Sequence, residues 1–158
     1  MHTRLSLIAA LLLLPAIALA DSAAPWGRAE LQETDYAPHK VVYDIAVGSV
    51  GAFESALDRA SYLSKVYNAD PFAASIVLVL HGDEINFFAI EHFDEHRELM
   101  RRAQSLTVGG VIKFHMCTLA AQAHGYDPED IHGFVTMVPM ADAEIVRLQA
   151  EEGYAYMQ

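Results

Sequence analysis

Ser75-Ile76-Val77-Leu78-Val79-Leu80, followed by His81-Gly82-Asp83, is an unbroken apolar run of strand length closed by a turn. A strand that is apolar at nearly every position is covered on both faces. That is the condition of a parallel sheet flanked by helices. On its amino-terminal side, Phe53, Ala56, Leu57, Ala60, Leu63 and Tyr67 recur at helical spacing, and Asn68-Ala69-Asp70-Pro71 ends that helix. Val41 to Val47 precedes it as a first strand, with Gly48-Ser49-Val50-Gly51 as the turn between them. On the other side, Ile85 to Ala89 fits either a loop or a short helix. Phe93 to Leu106 carries Phe93, His96, Met100, Ala103 and Leu106 on one side of a helix closed by Gly109-Gly110.

Val111 to Met116 then reads as a third strand, and Thr118 to Gly125 as a short helix. Asp127-Pro128 is a helix-start signature. Phe134 to Val138 reads as a fourth strand, Asp142 to Glu152 as a helix, and Tyr154 to Met157 as a fifth strand. Alternation of this kind, flavodoxin-like in rhythm, predicts a three-layer α/β/α domain with a mostly parallel five-stranded sheet and right-handed crossovers. In such sheets reactive groups collect beyond the carboxyl ends of the strands. The loops Gly48 to Gly51 and His81 to Asn86 and the Met116-Cys117-Thr118 corner meet there.

The amino terminus reads as a secretory signal peptide over residues 1–20. Met1-His2-Thr3-Arg4 is basic, Leu5 to Ala20 is almost wholly apolar, and Ala18-Leu19-Ala20 before Asp21 fits a cleavage site. The run is shorter than the roughly 20 apolar residues of a spanning helix. The expected mature protein is soluble and periplasmic or secreted, with no membrane contact after cleavage. Residues 21–39, with Pro25, Pro38, Trp26 and Tyr36, read as an extended tail, either a linker or an arm that docks. The domain proper is residues 40–158. A net charge of −11 makes nucleic acid and anionic membranes poor partners. A hydrophobic content of 53% excludes a disordered chain.

The single cysteine, Cys117, excludes an intrachain disulfide. It lies between a strand and a helix, where the helix field favours thiolate. One reading is a thiolate that accepts sulfane sulfur or undergoes reversible oxidation; the other is a small buried hydrophobe. A persulfide carrier needs only one sulfur, whereas a thioredoxin-like mechanism needs a resolving thiol. Lys113 and His115 share one strand face. They either approach a cavity or subunit interface, where they lower the Cys117 pKa, or mark a wet surface. His81 and Asp83 flank Gly82, either reaching a pocket shared with Cys117 or closing a tight turn. His92 and His96 have the spacing of a zinc- or copper-chelating helical pair, but eight histidines in the chain make a chance pair the plainer account. No metal and no cofactor is expected. Gly48-Ser49-Val50-Gly51 lacks the lysine of a phosphate loop and the third glycine of a dinucleotide fingerprint. No Gly-x-Ser-x-Gly elbow supports a hydrolase.

Several stretches together resemble the DsrE/DsrF-like (YchN-like) family of small sulfur-handling proteins, and within it the exported, periplasmic branch. They are Leu80-His81-Gly82-Asp83-Glu84-Ile85-Asn86-Phe87, the corner at Cys117, Asp127-Pro128, and Ala143-Glu144-Ile145-Val146-Arg147-Leu148-Gln149 with Gly153-Tyr154-Ala155-Tyr156. The resemblance implies a homotrimer or homohexamer. It also implies that Cys117 carries sulfur as a persulfide between a donor and an acceptor protein, more as a carrier than as a many-turnover enzyme. The alternative is a non-catalytic oligomeric binding or scaffold module with a structural cysteine.

Overall fold

The computed structural model describes residues 24–158. The expected signal peptide and its cleavage site, and residues 21–23 of the tail, lie outside the described residues. The chain divides into two units between Thr34 and Asp35. In the described part of the first, the Gly27 N–H donates to the Ala24 carbonyl (3.0 Å) in a turn, and there is no helix or strand. In the second unit, His39 sets its ring edge-on to Tyr67, with centroids 6.3 Å apart.

The rest is an α/β domain of five parallel strands with helices on both sides. The elements are β1 (Lys40–Ile45), α1 (Val50–Val66), β2 (Ser75–Leu80), α2 (Arg97–Thr107), β3 (Ile112–Cys117), α3 (Thr118–Ala123), β4 (Val135–Val138), α4 (Ala141–Glu152) and β5 (Ala155–Met157). Strand order is β4-β3-β2-β1-β5, and every pairing is parallel. β2 is central and every residue of it is buried, which accounts for its unbroken apolar run.

The order also explains how the layers fill. Three connections step the same way across the sheet, from β1 to β4, and the last returns from β4 to the far edge at β5. Crossovers of one hand put the first three connections on one face and the returning one on the other. The larger core accordingly packs Phe53, Leu57 and Ala60 of α1, Leu99, Met100 and Ala103 of α2 and Ala121 of α3 on Val41, Tyr43, Ile76, Leu78, Phe114 and Met116. The smaller core holds Ala141, Ile145 and Leu148 of α4 with Val42, Val77, Val79, Cys117 and Tyr154. α4 is thus the single helix on its face among the described residues.

Local chemistry sets the element ends. The Ser49 side chain accepts the Ala52 N–H (3.3 Å) and starts α1. Gly153, with φ +75°, ends α4 in the left-handed region and turns the chain into β5. Two sequence expectations shift. The helix expected from Phe93 begins at Arg97, because Phe93 to Glu95 continue as hydrogen-bonded turns from the 3-10 turn of residues 90–92 and His96 is a bend. Asp127-Pro128 opens only one 3-10 turn, Pro128–Asp130, in which Asp130 accepts the Asp127 N–H (2.9 Å). No helix among the described residues is long and apolar enough to cross a membrane.

Candidate functional site

Cys117 is the last residue of β3 and the cap of α3. It is 5% exposed, and its Sγ accepts the Ala120 N–H at 3.4 Å. Its strand partner is Val138 of β4. By the two-residue alternation of a strand, Lys113, His115 and Cys117 face α4, opposite the larger core. β2 and β3 are in register up to Leu80 with Met116, so one further step sets His81 alongside Cys117. The carboxyl ends of three strands therefore converge on the thiol.

Two histidine–carboxylate pairs occupy this face. His115 Nδ1 lies 2.9 Å from Glu144 Oε1 on α4. Arg147, one turn further on α4, donates to both Glu144 oxygens at 2.8 Å. Glu144 is 9% exposed, a buried charge held by two partners. The Arg147 hydrogen bonds keep its carboxyl below the usual range, against the opposing pull of burial. Burial pushes the His115 imidazole below its ordinary value, and the Glu144 hydrogen bond only partly offsets this. The pair at neutral pH is therefore carboxylate with neutral imidazole.

The second pair joins His81 Nε2 to Asp44 Oδ1 at 2.6 Å, with the Tyr156 hydroxyl donating to Asp44 Oδ2 at 2.6 Å. Burial raises the Asp44 pKa, but the hydrogen bonds from Tyr156 and His81 outweigh it and the net direction is down. The His81 ring is thus turned towards β1, even though its backbone stands next to Cys117.

The other predicted residues lie elsewhere. Lys113 is exposed, four residues up β3 from Cys117, about 13 Å at the usual rise of a strand. Asp83 is mostly exposed and has His124 Nε2 at 3.9 Å. His92 and His96 do not share a helix: His92 ends a 3-10 turn and His96 precedes α2. His92 Nε2 meets the Tyr126 hydroxyl (3.1 Å), and His96 packs edge-on to Phe87 at 4.8 Å. Among the described residues no group of three or more His, Cys, Asp or Glu is arranged to hold a metal ion.

Sequence reasoning missed Glu84, Glu144, Arg147, Asp44 and Tyr156. Glu84 is fully buried, and its carboxylate accepts the N–H groups of Val47 (2.8 Å), His81 (2.9 Å) and Gly82 (2.8 Å). It ties the loop after β1 to the loop after β2. This also ends β1 at Ile45, short of the expected Val47, because the Val47 N–H leaves the ladder for Glu84. Gly82 is required by the same junction: a Cβ there would stand 2.7 Å from the Ala46 Cα and 2.7 Å from Glu84 Oε2.

The model of the DsrE/DsrF-like family matches residues 42–158. Among solved structures, a protein of unknown function from Methanobacterium thermoautotrophicum superposes with a TM-score of 0.58 at 22% identity, over 75% of this chain and 97% of that one. That likeness is one of fold. No curated protein matches the chain.

Proposed function

The chain belongs to the DsrE/DsrF-like family, and on that premise we propose that it carries sulfane sulfur on Cys117. The observation that carries this reading is the setting of the thiol. Cys117 ends the interior parallel strand β3, its sulfur accepts a backbone N–H, and it shares a sheet face with the His115–Glu144 pair. A sulfur that accepts an N–H is better matched as thiolate than as thiol. In the proposed step the Cys117 thiolate attacks the outer sulfur of a donor persulfide, R–S–SH. An S–S bond forms on Cys117 as the donor S–S bond breaks, and R–S⁻ leaves. The proton stays on the transferred sulfur, and no external oxidant or reductant is consumed. An acceptor thiolate reverses the step.

We further place the protein outside the cytoplasm, on the strength of residues 1–20, and assign it a homotrimeric or homohexameric state by family analogy. The donor and acceptor are small persulfides or partner proteins bearing them. The second reading is a scaffold module with a structural cysteine, and the burial of Cys117 beside Val138 and Ala141 favours it.

Intact mass after treatment with a low-mass polysulfide separates the two. The carrier reading expects one added sulfur, absent in Cys117→Ser, with unchanged assembly by light scattering. No adduct at any pH, with Cys117→Ser changing only stability or assembly, would establish the scaffold.

A further inference from the structure

At the end of the strands opposite Cys117, the face that carries α4 turns polar. Lys40 and Ser75 are strand partners, and Lys113 pairs with Val77, two residues beyond Ser75. By strand alternation all three lie on the side of the sheet that α4 covers, in line with Val42 and Val77 of the smaller core. They line a cavity of about 210 Å³ between the loop before β2 and the end of α4. Two of the three lysines of a chain with net charge −11 are gathered there. Lys40 Nζ donates to the Glu152 carbonyl (3.3 Å), with the Glu152 carboxylate at 4.0 Å. Lys113 is exposed and has no hydrogen bond or ion pair among the described residues. In the same lining the Tyr154 and Ser75 hydroxyls meet at 2.8 Å, on side chains of residues only 6% and 9% exposed. Two hydroxyls bonded to each other use one of their two hydrogens. The other O–H, whichever residue carries it, has no acceptor among the described residues. A buried donor left open in this way costs free energy that a bound acceptor removes.

We propose that this cavity is a binding site for a small oxyanion: a free carboxylate, phosphate or sulfate. Lys113 supplies the unpaired charge, and the open O–H of the Ser75–Tyr154 pair supplies a directed hydrogen bond. Lys40 adds a second cation, already shared with the end of α4. Glu152 is the one carboxylate of the lining and opposes the anion. Two lysines against one glutamate still leave the cavity positive, while the chain as a whole repels anions. An acceptor-bearing anion is therefore the ligand class that answers both the free ammonium and the open hydroxyl. The site is separate from Cys117 and holds whether or not that thiol carries sulfur.

The test titrates sodium phosphate, sulfate and acetate separately into the full chain at low ionic strength. Calorimetry gives the affinity, and the backbone amide shifts of Ser75 and Lys113 give the place. The expected result is one saturable site, with a Kd of about 1 mM or tighter for at least one of the three. Phosphate or sulfate as the tightest would mark a tetrahedral oxyanion, and acetate a carboxylate. Lys113→Gln is expected to weaken binding about tenfold, the loss of one charge-assisted hydrogen bond. Lys65→Gln removes the same charge from α1 and is expected to leave the affinity unchanged. Glu152→Gln is expected to tighten binding, a direction that a damaged fold does not produce. Uptake that never saturates overturns the proposal, and the open hydroxyl is then met by water alone. Equal affinity in the parent and Lys113→Gln overturns it too, as does an equal loss in Lys65→Gln.

Discussion

The Glu84 carboxylate accepts the Val47 backbone N–H at 2.8 Å, joining the loops after β1 and β2 across 37 positions of sequence. Two more N–H groups, of His81 and Gly82, point at the same buried carboxylate. Replacing the side chain leaves the Val47 and Gly82 N–H groups without their partner, while the His81 N–H keeps the Ile45 carbonyl at 3.1 Å, and each such loss costs about 1–3 kcal/mol where water cannot enter. Glu84→Ala is therefore expected to lower the unfolding free energy by about 2–4 kcal/mol in urea titration. A loss within experimental error would show that the junction is held by other means.

Gly82→Ala strikes the same junction from the other side. The added methyl meets the Ala46 backbone, which cannot rotate away as a side chain would. Overpacking of this kind costs about 1–3 kcal/mol. The expected result is a lower urea midpoint with unchanged slope, and a protein as stable as the parent would contradict the close approach.

Asp44 gives the acid limb of stability a named source. Its folded pKa is depressed, chiefly because Tyr156 and His81 hydrogen-bond the carboxylate more strongly than burial disfavours it. Stability from a depressed carboxyl is complete above its unfolded value, about 3.9, and is lost as pH falls through the folded value. Asp44→Asn should therefore cost stability at pH 7 and flatten the decline of thermal midpoint below about pH 4. Tyr156→Phe should do the same to a smaller degree, because His81 remains. Parallel pH curves for parent and Asp44→Asn would remove Asp44 from the account.

His132 Nε2 is buried without a hydrogen-bond partner, while the ring stacks on Phe134 and meets Phe93 edge-on. Burial alone pushes its pKa down, so the imidazole stays neutral below its usual range. An apolar ring of similar shape keeps the aromatic contacts and removes the orphaned nitrogen. His132→Phe is expected to stabilise the fold by about 1 kcal/mol, read as a raised thermal midpoint. A drop of similar size would indicate that the nitrogen has a partner in solution.

Much of this architecture was readable because it depends on local pattern. The unbroken run Ser75–Leu80 announced a strand covered on both faces, and the helical spacing of Phe53, Ala56, Leu57 and Ala60 matches the buried stripe of α1. Cys117 was legible as the corner between strand and helix. The groups around it were not. Glu84 follows Gly82-Asp83 and reads as a solvated turn charge, because its three donors come from loops that the sequence does not show meeting. Glu144 and Arg147 read as an ordinary surface pair three residues apart on a helix. Only the return of α4 over β3 turns that pair inward onto His115. The late start of α2 was hidden for a related reason: Phe93 and His96 keep helical spacing while the chain between them runs through turns.

The position of α4 has a consequence for the newborn chain. β1 through β4, with α1, α2 and α3, all precede Ala141 in the chain, so a chain that arrives amino terminus first has every part of the larger core while the opposite face has its strand residues but not its helix. Cys117 is among the residues already delivered by then, but Ala141 and Ile145, which share its core in the finished protein, belong to α4, which follows them. The smaller core around the thiol is completed only when α4 folds back across the sheet and β5 pairs with β1.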